Sequence, residues 1–268
     1  MSRFLNPRSD VVFKKVFGEH AHLLISFLNA LLPLPPDGLI ESLTYLPTEQ
    51  IPTIPVLKRT IVDVKCIDKQ GRIFIVEMQL EWSKHFMQRM LFGASQAYVR
   101  QLNKGEEYEY LRPVYGLGLL GENFDKESAD YYHHYKIVNV EKPACELKGL
   151  QFVFIELPKF KPKNRVEKKL LILWLRFMSE INEDTRTVDP ELLAVPEIRE
   201  AIELSEQAAY TKAELTAYDS FWDAVSTEKT LISDNRKEAT TEIARKMLSK
   251  GMDVLLISEV TGLSVNEV

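Results

Sequence analysis

The chain has 268 residues, 45% hydrophobic and 27% charged, enough for one large core or a core with a smaller attachment. No apolar run approaches the roughly 20 residues of a membrane span, and the start MSRFLNPRSD lacks a signal peptide's apolar stretch, so no membrane association is expected and a cytoplasmic address follows by default. The net charge of −5 argues against a general binder of polyanions, yet residues 159–169 (KFKPKNRVEKK) set a run of Lys and Arg against the single acid Glu167. That segment reads equally as a contact for a phosphate backbone and as a solvated linker.

Cys66 and Cys145 stand far apart in unlike contexts, so neither a disulfide framework nor a C-x-x-C zinc site is read from them, and both are expected to be buried small hydrophobes. None of His20, His22, His85, His133 and His134 has a zinc-type spacing to a Cys or a second His. His133 and His134 alternate along a strand and point to opposite faces.

Along the chain, Ser9 is a good N-cap for an apolar helical repeat through residues 10–32, which Pro33, Pro35 and Pro36 end. Residues 39–46 form a short strand, and 55–67 with 72–80 form two more. A long helix is expected over 83–104. Three strands follow in PVYGLGLL, YYHHYKIVNV and LQFVFIEL, rich in β-branched and aromatic residues. From Arg165 onward the pattern is helical. The order predicts an α/β fold, an α+β mixed sheet with a helical C-terminal appendage, and a boundary near residues 158–163.

Between the two central strands stands Lys69-Gln70-Gly71, a three-residue loop with Gly last, as a type I turn with a G1 bulge requires. Asp68 then pairs with Arg72, and Asp63 falls opposite Glu77 with Cβ atoms roughly 5 Å apart. Period-2 alternation puts Val62, Val64, Cys66, Phe74, Val76, Met78 and Leu80 on a core face. The other face carries Ile61, Asp63, Lys65 and Ile67 against Ile73, Ile75, Glu77 and Gln79, half apolar and expected to lie under a helix. Opposed carboxylates in a partly buried setting repel and require neutralisation. A hard divalent cation such as Mg²⁺ (or Mn²⁺) does so with carboxylate oxygens, waters and substrate phosphate; a salt bridge to Lys65 or another basic side chain is the alternative.

Asp63, a hairpin and Glu77-Met78-Gln79 together resemble the signature of the PD-(D/E)xK nuclease superfamily. Asp10, Phe13-Lys14, Phe17-Gly18, IVEMQ at 75–79, Arg89, Tyr98, Gln101-Leu102, Gly105 and Tyr108 are similar to its Rpn, transposase-like branch, closely over residues 8–120. The resemblance implies a restriction-endonuclease-like α-β-β-β-α-β core and metal-dependent hydrolysis of DNA linked to recombination or transposition. It implies a metal held by Asp63, Glu77 and the Met78 carbonyl, and a supporting acid in Asp10, whose plain alternative is favourable charge at a helix N-terminus. Gln79 stands where the superfamily has Lys; it can orient a water but supplies no charge, which Lys65 would partly replace. Arg89, Tyr98 and Gln101 on the next helix are substrate-contact candidates or packing residues.

Residues 236–250 read as an amphipathic helix ended by Gly251, followed by a helix from Asp253 to near Gly262. Ser264 to Glu267 reads as a capping box opening a third helix whose body is absent, so the tail is expected to be truncated. This segment resembles the helix-turn-helix-like tail of the same branch; from residues alone the acidic neighbourhood favours a helical hairpin for oligomer packing. The expected division is 1–160 nuclease core, 161–235 helical extension and 236–268 tail. The partners implied are DNA and, since a double-strand cut needs two sites, a second copy in a homodimer. The competing function is a catalytically degenerate nuclease fold that binds DNA or protein, motivated by Gln79 and the negative charge.

Overall fold

The computed structural model describes residues 4–50, 60–61, 63–80, 83, 85–161 and 169–267, with backbone alone at 49–50, 60–61 and 236. Ser9 caps as expected: its hydroxyl accepts from the Val12 N–H at 3.3 Å, and α1 (Asp10–Phe13) follows. The single helix expected over 10–32 is broken. The chain widens into a π turn (Lys14–Gly18) and restarts as α2 (Ala21–Leu31). The wider turn re-aims the apolar stripe, so that Phe17 meets Phe13 and Phe27 with ring centroids 4.9 and 4.4 Å apart.

The strand expected over 55–67 is also discontinuous. Residues 51–59 and 62 lie outside the described residues; β2 (Glu49–Gln50) pairs with β3 (Thr60–Ile61) in a small ribbon, and β4 (Val64–Asp68) begins only after a bend at Asp63. In the main sheet β1 (Leu43–Tyr45) pairs antiparallel with β4, and β4 pairs antiparallel with β5 (Ile73–Gln79). The hairpin takes the expected register, Val64 with Val76 and Cys66 with Phe74. Its turn is pinned at both ends. The Asp68 N–H donates to the Arg72 carbonyl at 3.1 Å, the Asp68 carboxylate accepts from the N–H groups of Gln70 and Arg72, and Gly71 has φ +77°. The buried Arg72 guanidinium closes a 2.6 Å ion pair on Asp68.

From β5 the chain crosses through α3 (Phe86–Val99) to the parallel strand β6 (Val114–Leu120). β7 (Tyr132–Val138) and β8 (Glu146–Glu156) complete a six-stranded mixed sheet of order β1-β4-β5-β6-β8-β7. The helix is shorter than the 83–104 expected because the chain after Val99 turns back: the Gln101 amide clamps both backbone groups of Arg112. As expected, it covers the second hairpin face, burying Ile73 and Ile75 with Phe86, Met90, Ala94 and Ala97. Met78 and Leu80, by contrast, are only partly buried, because they stand at the sheet's end. A Cβ on Gly116 would stand 3.1 Å from Met90 Cε, and one on Gly118 2.9 Å from Phe86 Cε1. Bare backbone at these two β6 positions lets α3 settle close to the sheet.

After the sheet come α4 (Lys169–Glu180), α5 (Pro190–Leu193) and α6 (Pro196–Leu204). Trp174 of α4 packs edge-on to Phe27 at 5.4 Å and donates to the Ser26 hydroxyl at 3.2 Å, which joins α4 to the N-terminal helices in one core. Contacts divide the chain into two units, Met1–Tyr218 and Asp219–Val268. The helix expected over 236–250 is the end of the longer α7 (Lys212–Ser249). Next comes α8 (Val254–Thr261), capped by Asp253 and ended by Gly262 at φ 73°. The capping box forms: Glu267 accepts from the Ser264 N–H at 2.9 Å and from its hydroxyl at 2.7 Å. Ala244, Ile257 and Leu263 bury the small core of this unit. No helix among the described residues is long and apolar enough to cross a membrane.

Candidate functional site

Glu77 stands near the carboxyl end of β5, opposite the bend that carries Asp63. Continuing the hairpin register one step past Val64 and Val76 sets the two acids side by side. The turn has let the strand go at this point, and Asp63 replaces the lost ladder contact with its side chain: Oδ2 accepts from the Met78 N–H at 2.6 Å. That bond fixes the carboxylate against β5.

Burial decides the electrostatics. Glu77 is 4% exposed, and burial pushes its carboxyl up to about 7 against the pull of Arg89. Burial likewise pushes Asp63 up to about 6; its bond to the Met78 N–H and the charges of Lys14 and Arg89 oppose the rise, while Asp10 adds to it. One oxygen of Glu77, Oε2, receives the Arg89 Nη2 at 3.1 Å; the other, Oε1, is buried with no hydrogen-bond partner among the described residues. A buried carboxylate oxygen without a partner is costly. A basic side chain therefore does reach Glu77, but it is Arg89, and it satisfies only half of the carboxylate.

Arg89 comes from the first turn of α3, where the close approach over Gly116 and Gly118 brings it down to the strand end. The same Nη2 donates to Gln79 Oε1 at 2.6 Å, so one guanidinium ties together the two β5 side chains of the expected motif. Its side chain is 45% exposed and can leave. Asp10 lies in the first turn of α1, is half exposed and is paired with Lys14 at 2.9 Å; both bear on Asp63 through space. Lys14, Gly18, Tyr45, Thr48, Asp63 and Lys65 line a cleft of about 400 Å³ that opens on Asp63.

Tyr98 and Gln101 are not brought to this end. The helix carries Tyr98 roughly 13 Å beyond Arg89 at 1.5 Å per residue, beside Gly149, and Gln101 is bound to Arg112. Of the basic segment 159–169, residues 162–168 lie outside the described residues, and Lys159 is bound to Glu156. Lys14 is the contributor that sequence reasoning missed as a site residue, although it stands one helical turn beyond Asp10 and among the residues that carry the family resemblance.

The donor set fits a hard divalent cation: two converging acids, one with an orphaned oxygen, beside the Met78 backbone. Among the described residues no group of three or more His, Cys, Asp and Glu stands together as a metal site, so the acidic side chains on hand are these two. Comparison with curated proteins and with solved structures gave no match. The C-terminal helix-turn-helix domain of the Rpn/YhgA-like nuclease family matches residues 237–268. The model of the PD-(D/E)XK nuclease family transposases matches residues 7–235 of the fold just described, and the chain belongs to that family, in its Rpn branch.

Proposed function

We propose that the protein is a divalent-metal-dependent DNA endonuclease. The observation that carries this reading is the buried Glu77 beside the partly buried Asp63, with Glu77 Oε1 unpartnered among the described residues. Asp63, Glu77 and the Met78 carbonyl would hold Mg²⁺ or Mn²⁺, which when bound polarises a scissile phosphate and makes a water acidic enough to attack. The chain's own residues do the rest. The Met78 N–H holds Asp63 in place, the Gln79 amide orients the water, and Arg89 carries the positive charge that the superfamily places on Lys. Arg89 sits on Glu77 and Gln79 in this structure, and with a cation held by the acids its part-exposed guanidinium would be free to meet the phosphate. Asp10 steadies Lys14, and Lys65 lies along the strand entering the cleft.

The parts divide as 1–160 nuclease core, 161–235 helical extension and 236–268 DNA-binding tail. A role in recombination or transposition, and a homodimer for double-strand cuts, complete the reading. The test is nicking of supercoiled plasmid with Mg²⁺, with Mn²⁺ and with EDTA. Cutting that needs the cation and falls at least about 100-fold in Asp63→Asn and Glu77→Gln is expected. Metal-independent or variant-insensitive cutting sinks the proposal, and DNA binding with no cutting favours a degenerate DNA-binding module.

A further inference from the structure

Glu156, the last residue of β8, has no exposure to solvent. An acid so placed is costly unless donors surround it, and among the described residues four do. Oε1 accepts from the backbone N–H groups of Phe124 and Asp125 at 2.5 and 3.0 Å, while Oε2 meets His133 Nε2 at 3.2 Å and the ammonium of Lys159. A 3₁₀ turn (Leu157–Lys159) folds that lysine back, and the same ammonium donates to the Asp125 carbonyl. The loop of residues 121–131, between β6 and β7, is thereby fastened at its middle. Its ends are fastened too: the Gly121 N–H donates to the Gln79 carbonyl and the Glu156 N–H to the Tyr131 carbonyl, each at 2.8 Å.

This loop leaves the sheet beside the candidate site. Register sets Gln79, Leu120 and Glu156 in one row, at the carboxyl ends of the parallel strands β5, β6 and β8, the side on which such sheets bind ligands. A Cβ on Gly121 would stand 2.6 Å from the Leu80 carbonyl oxygen, so glycine lets the loop turn this close to the end of β5. What the grip of Glu156 holds in place is Phe124. Its ring lies against His133, with centroids 4.7 Å apart, and packs on the cluster that includes Phe86, Leu120 and Phe154. Phe86 meets Phe154 edge-on at 5.9 Å and carries the Arg89 guanidinium 5.2 Å from its ring centroid. Glu156 is thus linked to Arg89 through packed aromatic rings.

We propose that Glu156 is a positioning residue for Arg89: by gripping the N–H groups of Phe124 and Asp125 it sets the Phe124 ring against the Phe86 cluster, and Phe86 in turn holds the guanidinium over Glu77 and Gln79. Close-packed rings pass a displacement on, because an interior at native density has little room to absorb it. A carboxamide does not replace the carboxylate here. It presents its NH₂ either to the loop N–H groups or to Lys159, donor against donor. The proposal rests on the nuclease reading for what Arg89 does to a phosphate, though not for where Arg89 is held.

The experiment is a double-mutant cycle of Glu156→Gln and Arg89→Gln in the full chain, read by cation-dependent plasmid nicking and by the side-chain Nε–H resonances of ¹⁵N-arginine-labelled protein. The Arg89 resonance is the one missing from Arg89→Gln. Glu156→Gln is expected to shift or broaden it, to lower kcat about 10-fold with KM held within about 2-fold, and to lower kcat no further where Arg89 is already Gln. Phe124→Leu, which keeps the loop's backbone bonds and removes the ring, repeats both readings if Glu156→Gln misfolds. An Arg89 resonance unmoved in a folded variant overturns the proposal, as do losses in kcat that multiply across the two substitutions. Wild-type protein that cuts no DNA removes the nuclease reading, and a resonance that still moves then leaves Glu156 its positioning role.

Discussion

Glu77 is held out of water beside the partly buried Asp63, and the metal-free protein must bear that cost. Glu77 titrates near 4.5 in the unfolded chain and near 7 in the fold, so the folded state binds the extra proton between these values. The stability it contributes is whole below pH 4.5 and lost as pH rises through about 7, on the order of 2–3 kcal/mol. Metal-free protein should therefore melt at a lower temperature at pH 8 than at pH 5, and Mg²⁺ should raise Tm more at pH 8. Arg89 pulls the Glu77 carboxyl down, so Arg89→Gln should move the midpoint of this loss to higher pH while slowing cleavage. Melting curves from pH 4 to 9 check both; a midpoint unmoved by the substitution would mean that Arg89 is not the counter-charge.

At the scale of elements, the site is assembled by a hairpin and a helix that meet over glycines. Gly118 of β6 pairs in register with Glu77, and its missing side chain admits Phe86, three residues before Arg89. Gly118→Ala would force a Cβ to 2.7 Å from Phe154 Cδ1 and 2.9 Å from Phe86 Cε1. Overpacking of this kind costs about 1–3 kcal/mol. Lifting the start of α3 should also cut nuclease activity more than it cuts DNA affinity. Urea denaturation together with kcat and KM on one preparation would separate the two losses. The hairpin was readable in advance because its turn chemistry is local: Asp68, Gly71 and Arg72 specify one register, and that register, continued one step past Val64 and Val76, sets Asp63 beside Glu77. The broken first helix was not readable, because the π turn sets Phe17 against Trp174, distant in sequence, as well as against Phe27.

For the whole molecule, the chain holds a mixed-sheet unit with the acids and a small helical unit matched by a helix-turn-helix model. Removing residues 237–268 is expected to weaken DNA binding about 10-fold or more, since phosphate contacts supply much of such affinity. The thermal transition of the sheet unit and its cation-dependent cutting should persist. Calorimetry and plasmid nicking on the shortened chain check this; loss of cutting at saturating DNA would assign the tail a role in the reaction itself.

Taken by itself, the order of residues determined the central hairpin and its register, the three later strands, the helix over the hairpin's second face and the nearness of the two acids, though not the small β2–β3 ribbon. Each of these follows from turn chemistry and a two- or four-residue period. It left open what neutralises Glu77, with Lys65 the nearest candidate along the strand. Only the tertiary structure decided that, seating Arg89 on Glu77 and Gln79 and leaving Lys65 with Arg100 and Arg112 in a neighbouring cleft. The physical reason is reach: which cation meets a buried carboxylate depends on how closely a helix settles on its sheet, and here two glycines on a third strand set that distance.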